Sequence, residues 1–169
     1  MTRILGIDPG SRITGFGIVE VAAEGAIYVA SGSIRSIDGA LGVRLREIFL
    51  RTGELVARYR PAEIAIERVF VHRNPDSALK LGHARAAALC ATFASGVPVH
   101  EYAPREIKLA IAGRGGAQKT QVEHMVKALL ALRGELQSDA ADALAVALCH
   151  MQARTARPEL SPALHQVVP

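Results

Sequence analysis

Residues 4–12, ILGIDPGSR, run directly into ITGFGIVEV at 13–21, and this stretch decides the fold. The first segment is an apolar strand that ends on Asp8, after which Pro9 and Gly10 turn the chain. The connection to the second segment is too short for a crossover helix, so the two strands pair antiparallel. AIYVASGSIR at 26–35 follows after a turn at Ala23-Glu24-Gly25 and adds a third strand to the meander. Gly15 and Gly17 fall on one face of the second strand and leave it bare beside Asp8. That suits close approach by a ligand or another backbone, or else a bulge. Asp8 itself raises a question, because a charge at the end of a core strand is costly unless paired, ligated or protonated.

Downstream, the periodicity changes. Leu45, Ile48, Phe49, Thr52, Leu55, Val56 and Tyr59 recur at helical spacing, with charged residues between them. AEIAIERVF at 62–70 reads as a strand, and Asn74-Pro75 as a turn. From Asp76 to about Ser95 the chain is an Ala- and Gly-rich helix, which suits either a tight internal crossing or a subunit interface. VPVHEYA at 97–103 is a fifth strand, Pro104 opens the short helix PREIKLAIA, and a glycine loop at 113–119 precedes an amphipathic helix built on Val122, Met125, Val126, Leu129 and Leu130. Ser138 is placed to cap a last, apolar helix. The order βββ-α-β-α-β-ααα predicts an α/β fold, a mixed five-stranded sheet with helices on both faces. One domain is expected over 1–153, with a frayed tail over 154–169.

Half of the 169 residues are hydrophobic, and the formal charge is +4. This excludes a disordered chain and permits an anionic partner such as nucleic acid without requiring one. Cys90 and Cys149 lack metal or redox spacing and read as buried free thiols. No apolar run reaches the length of a membrane span and no leader pattern opens the chain, so a cytoplasmic protein is expected.

Four carboxylates stand where apolar or small residues are expected: Asp8, Glu67, Asp139 and Asp142. Singly, each has a plain reading. Asp8 suits a turn, Glu67 an ion pair with a neighbour such as Arg68, and Asp139 and Asp142 a favourable charge at a helix N-terminus. Together they point elsewhere. In a mixed sheet strands one and four can lie side by side, and a late helix can cross them. Carboxylates gathered there would repel unless cations lay between them. Hard oxygen donors suit Mg²⁺ or Mn²⁺, and two such ions suit phosphoryl displacement.

ILGIDPGSRITGFGIV, IERVF, NPDSALKLGHARAAA and DAADALAVALCH closely resemble the RuvC family of bacterial Holliday junction resolvases, from about Ile4 to His150. The resemblance implies a ribonuclease-H-like fold. It also implies a homodimer formed through the helix at 76–95, and paired Mg²⁺- or Mn²⁺-dependent nicks in four-way DNA that leave 5′-phosphate and 3′-hydroxyl ends. Its acidic tetrad, which would hold two ions, falls on Asp8, Glu67, Asp139 and Asp142. Some members carry histidine where Asp139 stands. Its basic residues near the scissile phosphate fall on Lys108 and Lys119, and its junction-inserting aromatic on Phe70, with Arg73 a further candidate DNA contact. A RuvAB-type branch-migration motor is the implied partner, in recombination and repair. The chain departs from the expected pattern at Pro75, where alanine is anticipated.

The residues also bear on these roles directly. Lys119 opens a helix behind a glycine loop, where charge and free N–H groups attract phosphate, although a solvated helix-end lysine has the same pattern. Lys108 reads equally as a snorkelling surface lysine, and Phe70 as core. A Phe beside an acidic site is also a candidate wedge against unstacked bases. His72 and His124 receive no catalytic role, and His150 reads as a capping or solvent-facing residue. Two rivals remain. A nucleotide phosphotransferase of the actin or sugar-kinase type shares the Asp-x-Gly strand end but needs a second such domain, and a catalytically silent junction-binding scaffold would carry the carboxylates without using them.

Overall fold

In the computed structural model, which describes residues 2–36, 38–69 and 74–156, the opening stretch forms β1 (Thr2–Asp8) and β2 (Ile13–Ala22). They pair antiparallel, with Asp8 opposite Gly15. β3 (Gly25–Arg35) completes the meander beside β2. α1 (Leu41–Tyr59) then carries the chain to β4 (Glu63–Glu67), and α2 (Pro75–Phe93) to β5 (Val99–Tyr102). β4 lies parallel to β1, and β5 parallel to β4, giving the strand order β3-β2-β1-β4-β5. Three helices follow: α3 (Pro104–Ala112), α4 (Lys119–Leu129) and α5 (Ser138–Ala156). The mixed five-stranded sheet is as expected.

β1 is central and covered on both faces, which is why it reads as a nearly unbroken apolar run. Ile4, Val19 and Ala65 pack with α3, α4 and α5. Their sequence neighbours Leu5, Ile18, Ile64 and Ile66 face α1 and α2. The bare glycine face has a definite purpose. A Cβ on Gly6 would lie 2.2 Å from the Ala143 carbonyl oxygen, one on Gly15 would lie 2.0 Å from that of Asp139, and one on Gly17 would lie 2.7 Å from the Leu144 nitrogen. The glycines therefore admit the backbone of α5, and the sheet's register shift lies elsewhere, between Ile18 and Val19.

Several boundaries differ from expectation. β4 ends at Glu67 instead of running over 62–70, because its ladder to β1 stops at Ile66 and its ladder to β5 at Glu67. Pro98, which has no N–H to donate, precedes the shorter β5. Pro75 is the first residue of α2, and the Asn74 side chain accepts from the Asp76 and Ser77 amides at 3.0 and 3.4 Å, a normal proline-opened helix start. α5 continues to Ala156, past the expected boundary at 153. Cys149 is buried, but Cys90 is exposed. α2 turns Ala84, Ala88 and Thr92 inward, and Cys90 falls on the opposite side with Leu79, His83 and Phe93. Among the described residues no helix is long and apolar enough to cross a membrane.

Candidate active site

Parallel neighbours end on the same side of a sheet, so β1 and β4 deliver their last residues together. Ile7 pairs with Ile66, which sets Asp8 and Glu67 side by side on the face that α5 covers. α5 starts across this end because Gly15 lets the Asp139 carbonyl sit directly on β2. Asp142, one turn on, then lines a concavity of about 280 Å³ with Asp8, Glu67, Lys108 and Lys119. Its apolar walls come from Pro104, Ile107, Val122 and Ala145. Asp139 does not line this cavity, but its charge contributes to the potential at Asp8.

The electrostatics are those of an overcrowded anionic site. Burial, followed by the charges of Glu67 and Asp142, pushes the Asp8 carboxyl from 3.8 up to about 8, against the opposing pull of Lys119. Burial and Asp142 likewise push Glu67 up to about 7, with Lys108 and Lys119 pulling the other way. Lys119 loses something to burial, but its 2.5 Å ion pair with Asp142 and the charges of Asp8 and Asp139 hold its pKa above the usual value. The Glu67–Arg68 pair, the plain alternative for Glu67 taken singly, does not form among the described residues. Arg68 binds Glu106 at 3.0 Å, and the same Glu106 oxygen accepts from the Ala103 amide at 2.6 Å, tying β4 to the start of α3. Arg85, which the sequence did not single out, pairs with Glu101 at 2.6 Å and reaches the Glu67 carbonyl at 3.4 Å.

The structure thus gathers Asp8, Glu67, Asp142, Lys108 and Lys119, and brings Asp139 to their edge. Phe70 and Arg73, with His72, lie outside the described residues. His124 is exposed on α4 and is not part of the cavity lining.

His150 overturns its expected capping or solvent role. It is fully buried, with Nε2 2.6 Å from Glu63 Oε2 and Nδ1 2.7 Å from the Tyr102 hydroxyl. Arg154 donates to the other Glu63 oxygen at 2.8 Å, and the His100 ring stacks on His150. Donor atoms of Glu63, His100 and His150 come within 4.8 Å of one another. Both Glu63 oxygens are already engaged, and Arg154 places a positive charge there, so the group reads as a buried hydrogen-bonded brace. It sits at the opposite end of β4 from Glu67, roughly 13 Å away at the usual rise of a strand. The clue in the sequence was Glu63, which shares a strand face with the core residue Ala65.

Comparison with known proteins agrees with the motifs. The family model described as crossover junction endodeoxyribonuclease RuvC matches residues 4–150. The protein of that name from Halorhodospira halophila is 58% identical over 157 residues, covering 92% of this chain and 93% of its own. The one from Methylococcus capsulatus is 54% identical over 154 residues, covering 91% and 93%. Among solved structures, Thermus thermophilus RuvC in complex with Holliday junction substrate superposes with a TM-score of 0.85 at 37% identity, covering 92% of this chain and 97% of that one. The yeast mitochondrial Holliday junction resolvase Ydc2 shares the fold at 14% identity, with a TM-score of 0.68.

Proposed function

We propose, because the chain belongs to the RuvC family of crossover junction endodeoxyribonucleases, that it resolves four-way DNA junctions by paired, symmetric phosphodiester hydrolysis in the cleft lined by Asp8, Glu67 and Asp142, with Asp139 at its edge. The observation that carries this reading is the convergence of carboxylates whose burial and mutual repulsion raise Asp8 to about 8. That arrangement is unfavourable by itself and becomes favourable around divalent cations.

The donor set fits such ions. It is all oxygen, anionic and open to solvent on one side, as Mg²⁺ or Mn²⁺ requires. Asp8, Glu67, Asp139 and Asp142 would hold two ions. Bound there, the ions would lower the pKa of an attacking water and balance charge on the attacking and leaving oxygens.

The chain's own groups do the rest. Asp8 and Glu67, whose carboxyls burial and neighbouring charge raise to about 8 and about 7, would have to be ionised to hold the ions. Lys119, paired with Asp142, has its ammonium at the cleft, where it stabilises negative charge gathering on the phosphoryl oxygens. Lys108 supports it from α3. In-line attack with the 3′-oxygen leaving gives 5′-phosphate and 3′-hydroxyl ends. In this reading Phe70 acts at the junction centre, and Arg73 is a further contact to the DNA.

A twofold-symmetric homodimer supplies two such clefts to a twofold-symmetric junction. We assign its interface to the 76–95 helix, whose outer face bears Leu79 and Phe93 at 62% and 66% exposure, with Gly82 and Ala86 between. One nuclease domain that takes in the whole of α5 to Ala156, a cytoplasmic location and a RuvAB-type motor as partner complete the proposal, in recombination and repair.

The test is cleavage of a synthetic mobile four-way junction with Mg²⁺ or Mn²⁺, comparing wild type with Asp8→Asn. Paired nicks by wild type, with the variant binding but not cutting, support the resolvase. Binding without cutting by both would replace it with a junction-binding scaffold.

A further inference from the structure

The carboxylate cleft repels the DNA it would cut, so the strand has to be held by cations beside it. Lys108 and Lys119 lie on the α3 and α4 side. On the opposite side, past the ends of β2 and β3, Arg12, Arg35 and Arg44 line a separate concavity of about 340 Å³ with Ser36, Gly39 and Asp38. Asp38 is the opposing charge, which leaves the concavity positive.

Arg12, Arg35 and Arg44 form no ion pair among the described residues, as is also true of arginines such as Arg46 and Arg105. What sets the three apart is that they share one concavity whose only lining carboxylate is Asp38. Arg44 makes a single long contact from Nη1 to the Ser11 carbonyl at 3.4 Å, and its buried Nε has no partner. An unpaired buried donor of this kind is disfavoured unless a ligand offsets it.

A second feature points the same way. α1 begins at Leu41 with no side-chain cap and no acidic residue in its first turn, so its positive end is uncompensated. Gly39 and Arg44, which bracket that turn, both line the concavity. The backbone that shapes it is well tied, since the Ser36 amide and hydroxyl both donate to the Arg12 carbonyl, at 3.0 and 2.9 Å.

We propose that Arg12, Arg35 and Arg44, with the free N-terminus of α1, form a docking site for a backbone phosphate of the DNA strand whose scissile phosphate enters the carboxylate cleft. The sheet register gives the spacing. Asp8 pairs with Gly15 and Gly15 with Ser33, so Arg35 lies two strands across and two residues further along. This separates it from Asp8 by roughly 12 Å, far enough for the two sites to take different phosphates of one strand. Cations on both flanks would stretch the strand across the acidic centre and fix its register without reading bases.

The inference rests on the resolvase reading, and one experiment separates the two. Binding of the full chain to a labelled four-way junction is titrated in chelator from about 50 to 200 mM salt, for wild type, Arg12→Gln, Arg35→Gln, their double variant, Arg35→Lys and Arg46→Gln. Arg46 is an exposed α1 arginine that is not part of the concavity lining. Each glutamine variant at Arg12 or Arg35 is expected to lower the slope of log affinity against log salt by about 0.7–0.9, with a several-fold loss of affinity. The double variant should lose about twice that slope, and Arg35→Lys should retain it. Melting temperatures are expected to stay at the wild-type value, since Arg12 and Arg35 are exposed and unpaired. Unchanged slopes in the Arg12 and Arg35 variants, or an equal loss in Arg46→Gln, would overturn the docking site while leaving the resolvase intact. A wild type that neither bound nor cut the junction would overturn both.

Discussion

Replacing Asp8 by asparagine should stabilise the metal-free protein while abolishing its activity. Asp8 titrates near 8 in the fold against 3.8 unfolded. A carboxyl raised in this way favours the folded state fully only below its unfolded value, and that contribution is lost as pH climbs through the folded one. One pKa unit is worth about 1.4 kcal/mol, so at pH 7 the ionisation of Asp8 in the unfolded chain opposes folding by at most about 4 kcal/mol. Water at the open cleft screens the repulsion, and about 2 kcal/mol is a realistic figure. For a chain of this size that is about 4–8 °C in melting temperature. Asparagine keeps the volume and removes the titration. Melts in chelator from pH 4 to 9 should therefore show wild type falling between about pH 4 and 8, with Asp8→Asn flatter, more stable at pH 8 and converging with wild type at pH 4. Added Mn²⁺ should raise wild type far more than the variant. A variant that melts at or below wild type at pH 8 in chelator would refute the argument that repulsion at this site is stored in the fold.

Other outcomes follow from the same structure. Lys119→Met should cut the single-turnover cleavage rate about 10²–10³-fold while leaving the fold intact, because it removes the cation paired with Asp142 at the cleft. Gly15→Ala places a methyl group against the Asp139 carbonyl, so it should cost at least about 1–3 kcal/mol by chemical denaturation and weaken Mn²⁺ binding measured calorimetrically. Glu63→Ala leaves His150 and Arg154 without their shared buried partner and should cost about 3–5 kcal/mol, while cleavage per folded molecule at low temperature stays near wild type.

The strands, helices and acidic set were legible in the sequence because each leaves a local signature. Ile4 to Asp8 reads as a buried strand from its unbroken apolar run, and the odd carboxylate at its end pointed to the candidate site. The 3.6-residue rhythm from Leu45 to Tyr59 required a helix. Family motifs carried Lys108 and Lys119 to positions that charge patterning alone would have left as surface lysines. Where the sequence was ambiguous, the deciding partner was remote in the chain. Gly15 and Gly17 were equally compatible with a bulge, a ligand or a backbone, and only the docking of α5 some 120–130 residues later selects the last. His150 sits in an apolar helix with nothing local to show that Glu63, 87 residues away, receives its ring nitrogen. Arg12, Arg35 and Arg44 are ordinary isolated cations until the β2–β3 register and the start of α1 bring them together. Periodicity and turn chemistry act over a few residues and are written locally. Charge repulsion, burial and unsatisfied donors depend on distances across the fold, and those come into being only when the sheet and its helices have packed.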